Sequence, residues 1–204
     1  MSLSRIFSDP GKTPGVRRRR RGPALLVLAA LLPGAAGAAV FETQEQALAR
    51  AFPPPARVAR STTYLSEEQV EAVRRTAQAP VDSAVVTRYA AFGADGSLLG
   101  TAYFDAHVVR TAREVLMVVV APDRSVRSVD VLAFGEPQDY LPRGGWLRRV
   151  ERKRPEDGLF VGRALAHVTG ATLTTGAIAA AVRRVLAVHA LLGAPASPGK
   201  QGER

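Results

Sequence analysis

The chain has 204 residues, a net charge of +10, a pI near 11.1, and 47% apolar residues with only 6% aromatic. It contains no cysteine, which excludes disulfides, thiolate catalysis, c-type haem attachment and iron–sulfur ligation. Redox work by such a chain needs a bound organic cofactor.

The charge is unevenly spread. Residues 1–38 hold seven of the 28 Lys and Arg and only Asp9 of the 18 acids, leaving 21 against 17, or +4, in the remainder. That balance points to an acidic partner or an anionic membrane surface, and not to nucleic acid. The arginines of the leader, Arg17 to Arg21, stand directly before the apolar run Ala24–Leu32 and the small residues ending Ala36-Gly37-Ala38. A basic region, a short apolar core and small residues make a secretory signal, here residues 1–39, cleaved near Ala38 or Ala39. Residues 24–40 also approach the minimum length for spanning a bilayer, so the same segment is read alternatively as an uncleaved inner-membrane anchor. Either way the arginines hold the N-terminus in the cytoplasm and the remainder is periplasmic, outside the inner membrane.

The segment 40–82 reads as helical with a proline-rich linker. Phe41, Ala47, Leu48 and Ala51 recur at helical spacing, and Pro53-Pro54-Pro55 ends that helix and starts a surface linker. Ser66 with Gln69 three residues on is a capping box, with Glu67 and Glu68 in the first turn and Arg74-Arg75 near the end, so a second helix runs to Pro80.

Four β-type runs follow: Ala84–Phe92, Leu98–Val109, Val115–Val120 and Val126–Phe134, with turns at Ala94-Asp95-Gly96 and Ala121–Arg124. The expected fold is α+β, an antiparallel sheet of about four strands covered on one side by the N-terminal and C-terminal helices. The loop Gly135–Trp146 contains Tyr140 and Trp146, flat side chains suited to a planar ring; Trp146 serves equally as a core plug from a loop. Arg143, Arg148, Arg149, Arg152, Lys153 and Arg154 form a basic run, read as a solvated face or as a dock for an acidic redox partner, a phosphate or a membrane surface. His107 in a strand and His189 in a helix have no metal-type spacing.

The segment 167–176 (HVTGATLTTG) carries four hydroxyls, two glycines and no charge. Thr174 or Thr175 is the expected N-cap of a closing helix Gly176–Leu192, with Ile178, Val182, Val185 and Leu186 on its inner face. Thr172 and the helix N–H groups would then face a common point that suits a phosphate, within hydrogen-bond reach of His167. Gly193 stops the helix and residues 193–204 form a polar tail, expected to be disordered.

Thr169-Gly170-Ala171-Thr172, with Leu173-Thr174 after it, resembles the Ser/Thr-Gly-Ala-Thr signature of the FMN-binding domain family, which includes the flavin subunits of Rnf and sodium-pumping NADH:quinone reductase complexes. The resemblance covers roughly 84–190 within a domain placed at 83–192. It implies covalent FMN, joined through its phosphate to Thr172 by a periplasmic flavin transferase. Thr169, Gly170, Ala171, Leu173 and Thr174 would surround that linkage, with Glu136-Pro137 as a trimmed form of the family's flavin-enclosing loop. The implied role is electron carriage between membrane-bound or periplasmic redox proteins, as a subunit or relay and not as a stand-alone enzyme. The alternative is an exported, cofactor-free interaction module of the same fold; where the family usually has an acid before the tetrad, this chain has Ala166-His167.

Overall fold

The computed structural model describes residues 39–143 and 145–196. The leader and anchor reading of residues 1–38 and the tail beyond residue 196 lie outside them. Described residues fall in one compact unit. It is α+β, with a single antiparallel sheet of six strands in the order β1-β6-β5-β4-β3-β2. The strands are β1 (Ala39–Val40), β2 (Arg57–Tyr64), β3 (Val85–Phe92), β4 (Leu98–Val109), β5 (Ala112–Val120) and β6 (Val126–Phe134).

The expected four-stranded sheet is therefore short by two. β1 is only two residues long and pairs with Phe134 and Ala133. β2 occupies the stretch read as part of a linker segment. Arg57, Arg60 and a Ser-Thr-Thr run hide its strand character, because an edge strand buries little and gains from charge. It nonetheless pairs with β3 over eight residues, from Arg57↔Phe92 to Tyr64↔Val85. Cross-strand side chains reinforce it: the Thr62 and Thr87 hydroxyls lie 3.0 Å apart, and Arg88 Nε donates to Ser61 Oγ at 3.2 Å.

Three helices flank the sheet: α1 (Gln44–Ala51), α2 (Glu67–Ala77) and α3 (Thr172–Leu192). Coverage is two-sided and not one-sided as expected. α1 packs Ala47 and Phe52 on one face, against Ala91, Ala102, Met117, Val119 and Leu132. The larger core lies on the other face, where Leu116, Val118 and Val120 of β5 meet Ile178, Val182, Val185 and Leu186 of α3, with Val73 and Ala77 of α2 beside them. The period-2 alternation along β5 sends Met117 and Val119 to one cluster and Leu116, Val118 and Val120 to the other.

Both N-terminal helices carry complete capping boxes, Thr43 with Gln46 and Ser66 with Gln69. Arg183 fastens α3 to its surroundings. Its guanidinium donates to the carbonyls of Ala77 and Leu159, each at 2.7 Å, and lies 4.1 Å from the Phe160 ring centroid. Among the described residues α3 alone has the length and hydropathy of a membrane span, but 56% of its apolar window is buried inside this fold.

The start of α3 differs from expectation and places the site. The helix begins at Thr172, four residues before Gly176, with Ala171 as N-cap and no side-chain cap. Neither Thr174 nor Thr175 caps it. The Thr172 hydroxyl donates to the Val168 carbonyl at 3.2 Å and that of Thr175 to the Thr172 carbonyl at 3.0 Å, so both bond backward along the chain. Thr174 and Thr175 are buried inside the first turn.

Candidate functional site

At the N-terminus of α3 a cavity of about 220 Å³ is lined by Val109, Arg110, Glu136, Tyr140, Gly170, Thr172, Leu173 and Thr174. Three distant segments build it: the β4–β5 turn, the loop after β6, and the turn into α3. Gly170 sits at φ +84°, which explains a glycine there; a β-carbon would meet nothing within 4 Å, so the reason is backbone conformation and not close approach. Thr172 and Leu173 are exposed at the rim, Leu173 by 62%, whereas Thr174 is only 1% exposed. The first intrahelical donor is the Thr175 N–H, bonded to the Ala171 carbonyl, so the N–H groups of residues 172–174 have no helical acceptor and the positive end of the helix dipole opens here.

Glu136 lines the cavity and also fastens one of its walls. Its Oε1 accepts from the Thr111 N–H at 2.8 Å, the Thr111 hydroxyl at 3.0 Å and the Ala112 N–H at 2.9 Å, clamping the β4–β5 turn. Those backbone donors, led by Thr111, hold its carboxyl below the ordinary range. Arg110, the first residue of that turn, takes φ +51°, and its guanidinium lies 5.5 Å from the Tyr140 ring centroid. One face of Tyr140 is thus given to Arg110.

The remaining sequence-derived candidates lie away from the cavity lining. Trp146 is 4% exposed, packs in the main core, and donates Nε1–H to the Ala166 carbonyl at 2.8 Å, so it is a core plug and no wall of this cavity. His167 is exposed with its ring over Gly162, where a β-carbon would stand 2.6 Å from Nε2. Thr169 is exposed outside the lining, and Ala171 is buried at the N-cap. In the basic run, Arg154 pairs with Asp123 at 3.0 Å, while Arg143, Arg148, Arg149 and Arg152 are exposed to solvent.

A second polar cluster lies under the middle of α3, and sequence reading missed it. His107 Nδ1 is 2.9 Å from Asp105 Oδ1, and its Nε2 is 2.9 Å from Glu114 Oε2. Arg184 of α3 donates to both Asp105 oxygens, at 3.0 and 2.7 Å. Burial alone would lower the imidazole, but the bonds to both carboxylates outweigh it and raise His107 to about 9. Burial tends to raise Asp105, yet His107 and Arg184 hold it below its ordinary value; Glu114 is pushed up by burial against the pull of His107. Glu114 Oε1 has no partner and the residue is 0% exposed. The carboxylates occupy opposite ring nitrogens and cannot converge on one ion, and no metal-holding group of three or more such residues occurs among the described residues. The signal for this cluster was the strand alternation: Tyr103, Asp105 and His107 share the face turned to α3, and Glu114 stands two residues before inward-facing Leu116.

No family model, curated protein or solved structure matches the chain.

Proposed function

We propose that this chain is an exported FMN-binding electron-transfer domain whose flavin is held by a phosphoester to Thr172, installed by a periplasmic flavin transferase. The leading observation is convergence. Gly170, Thr172, Leu173 and Thr174 of the motif, together with Glu136 and Tyr140 of a remote loop, line one cavity. At about 220 Å³ the cavity is smaller than the ~300–1,000 Å³ that encloses a drug-sized ligand. It suits the phosphate end and one edge of a ring system, leaving the rest at the rim beside exposed Leu173, where a redox partner can approach.

The chain's own residues bind and orient. Thr172 would supply the oxygen that is esterified: its hydroxyl would give up the bond to the Val168 carbonyl and its proton, while the transferase breaks the phosphoanhydride of a flavin dinucleotide donor and the other nucleotide half leaves. The unpaired N–H groups of the first turn face the anion, and the buried side of α3 fixes their position. Bound flavin supplies one- and two-electron transfer. Its donor and acceptor on this reading are membrane-bound or periplasmic redox proteins, and the leader or anchor of residues 1–39 places the domain beside them.

The test is to co-express the chain with a periplasmic flavin transferase and look for flavin fluorescence that travels with the denatured polypeptide. Fluorescence in the wild type that vanishes in Thr172→Ala supports the reading. Its absence from wild type favours the cofactor-free interaction module to which Ala166-His167 points, and its survival in the variant contradicts attachment at Thr172.

A further inference from the structure

We infer that Arg110 and the first turn of α3 form a phosphate-reading subsite, selective for a phosphate monoester over the same compound without its phosphate. The inference rests on the flavin reading of this cavity but requires no covalent bond.

Four observations carry it. First, Arg110 lines the same cavity as Thr172 and Thr174 and forms no ion pair among the described residues. By contrast Arg50, Arg74, Arg154 and Arg184 each face a carboxylate. Second, the guanidinium is preorganised. The Glu136 clamp fixes the turn, Arg110 takes a left-handed backbone that non-glycine residues rarely adopt, and the Tyr140 ring lies under its planar cation. A planar, held fork suits a phosphate and loses little freedom on binding one. Third, the carboxylate beside Arg110 is tied to the turn: Glu136 Oε1 accepts three donors there, and the two side chains form no ion pair among the described residues.

The fourth observation is independent of charge. Thr174 is 1% exposed, and what it exposes lines the cavity. The hydroxyls on either side of it in the turn, Thr172 and Thr175, find carbonyl acceptors; that of Thr174 makes no hydrogen bond among the described residues. A buried hydroxyl without a protein partner, facing a hole with an arginine on one wall and free helix N–H groups on another, wants an oxyanion. Three types of donor from two segments, the β4–β5 turn and the first turn of α3, therefore meet in one cavity.

The roles of two sequence-derived candidates change as a consequence. Glu136 and Tyr140 act on the ligand through Arg110, as positioning residues, one setting its backbone and the other its side chain.

The experiment compares FMN and riboflavin as probes for purified full-length chain that has never met a transferase, with inorganic phosphate as competitor, using fluorescence quenching. Wild type is expected to prefer FMN at least tenfold, with the preference shrinking as salt rises and as phosphate is added. Arg110→Gln and Arg110→Ala should bring the FMN:riboflavin ratio near one without changing riboflavin binding, and Arg110→Lys should keep part of it. A wild-type ratio near one, no binding of either probe, or an unchanged ratio in both neutral variants would overturn the inference. The phosphate competition on wild type decides the matter if a variant fails to fold. Peptide mass mapping after transferase treatment separates this from the covalent reading. A lost ratio with no adduct on wild-type Thr172 keeps the subsite and discards the ester; an adduct with an unchanged ratio does the reverse.

Discussion

The two polar regions under α3 make opposite use of the same scaffold. Under the middle of the helix, buried Glu114 and half-buried Asp105, His107 and Arg184 answer one another, two cations facing two carboxylates when His107 is protonated. At the N-terminal end Arg110, Thr174 and the first-turn N–H groups share a cavity whose lining acid, Glu136, forms no ion pair with Arg110 among the described residues. Both sets lie at the same end of the β4–β5 pair, His107 and Val109 being two residues apart on one strand face. What differs is completion. A closed network holds the fold, whereas an open one invites a ligand. Substitutions in the first region should therefore cost stability, and in the second should cost binding.

The sharpest test of that division is Arg184→Met. It leaves half-buried Asp105 with two of its three side-chain hydrogen bonds gone, and breaking a buried pair costs on the order of 3–5 kcal/mol. Thermal unfolding should shift down by roughly 10 °C or more. An unchanged melting temperature would put the Asp105 cluster among the dispensable surface features.

Next in size is the pH response. His107 in the fold lies at about 9 against an ordinary value of 6.5, so its contribution is whole below pH 6.5 and is lost as pH rises through 9. Denaturant titrations should show stability falling across that window by on the order of 2 kcal/mol, and His107→Gln should flatten the fall. A smaller effect is expected for Trp146→Phe. It removes the donor to the Ala166 carbonyl and should cost about 1–2 kcal/mol while leaving flavin attachment intact. Loss of attachment there would return Trp146 to the site.

The smallest stability effect belongs to the motif itself. Thr172→Ala removes one exposed hydroxyl and its 3.2 Å bond, so the melting curve should move by less than about 0.5 kcal/mol while all flavin is lost. A large destabilisation would make Thr172 a structural residue and erase the contrast between the two regions.

Local chemistry was the legible part of the sequence. The Ser66–Gln69 capping box, the Asp95-Gly96 turn and the strand Val126–Phe134 stand where their residue types placed them, because each depends on neighbours within a few positions. Elements that depend on distant partners were not legible. β2 is a strand only because β3 accepts its whole length; its own arginines and hydroxyls read as linker. The threonines around residue 174 look like caps in isolation, but Gly170 turns the chain early and the helix swallows them. The site was half visible. Gly170, Thr172, Leu173, Thr174, Glu136 and Tyr140 do share a cavity, while Arg110 carries no motif and enters only through a contact 25 residues away between Glu136 and Thr111. Charged residues inside strands, such as Asp105 and Glu114, gave no site signal because alternation does not tell which side a helix will cover.

Intact-mass measurement of the chain co-produced with an active flavin transferase, followed by peptide mapping, addresses the central claim most directly. The account predicts a single addition equal to FMN less one water, carried on the peptide containing Thr172 and absent from Thr172→Ala. An unmodified mass from wild type, with the transferase shown to be active on another substrate in the same cells, would contradict it.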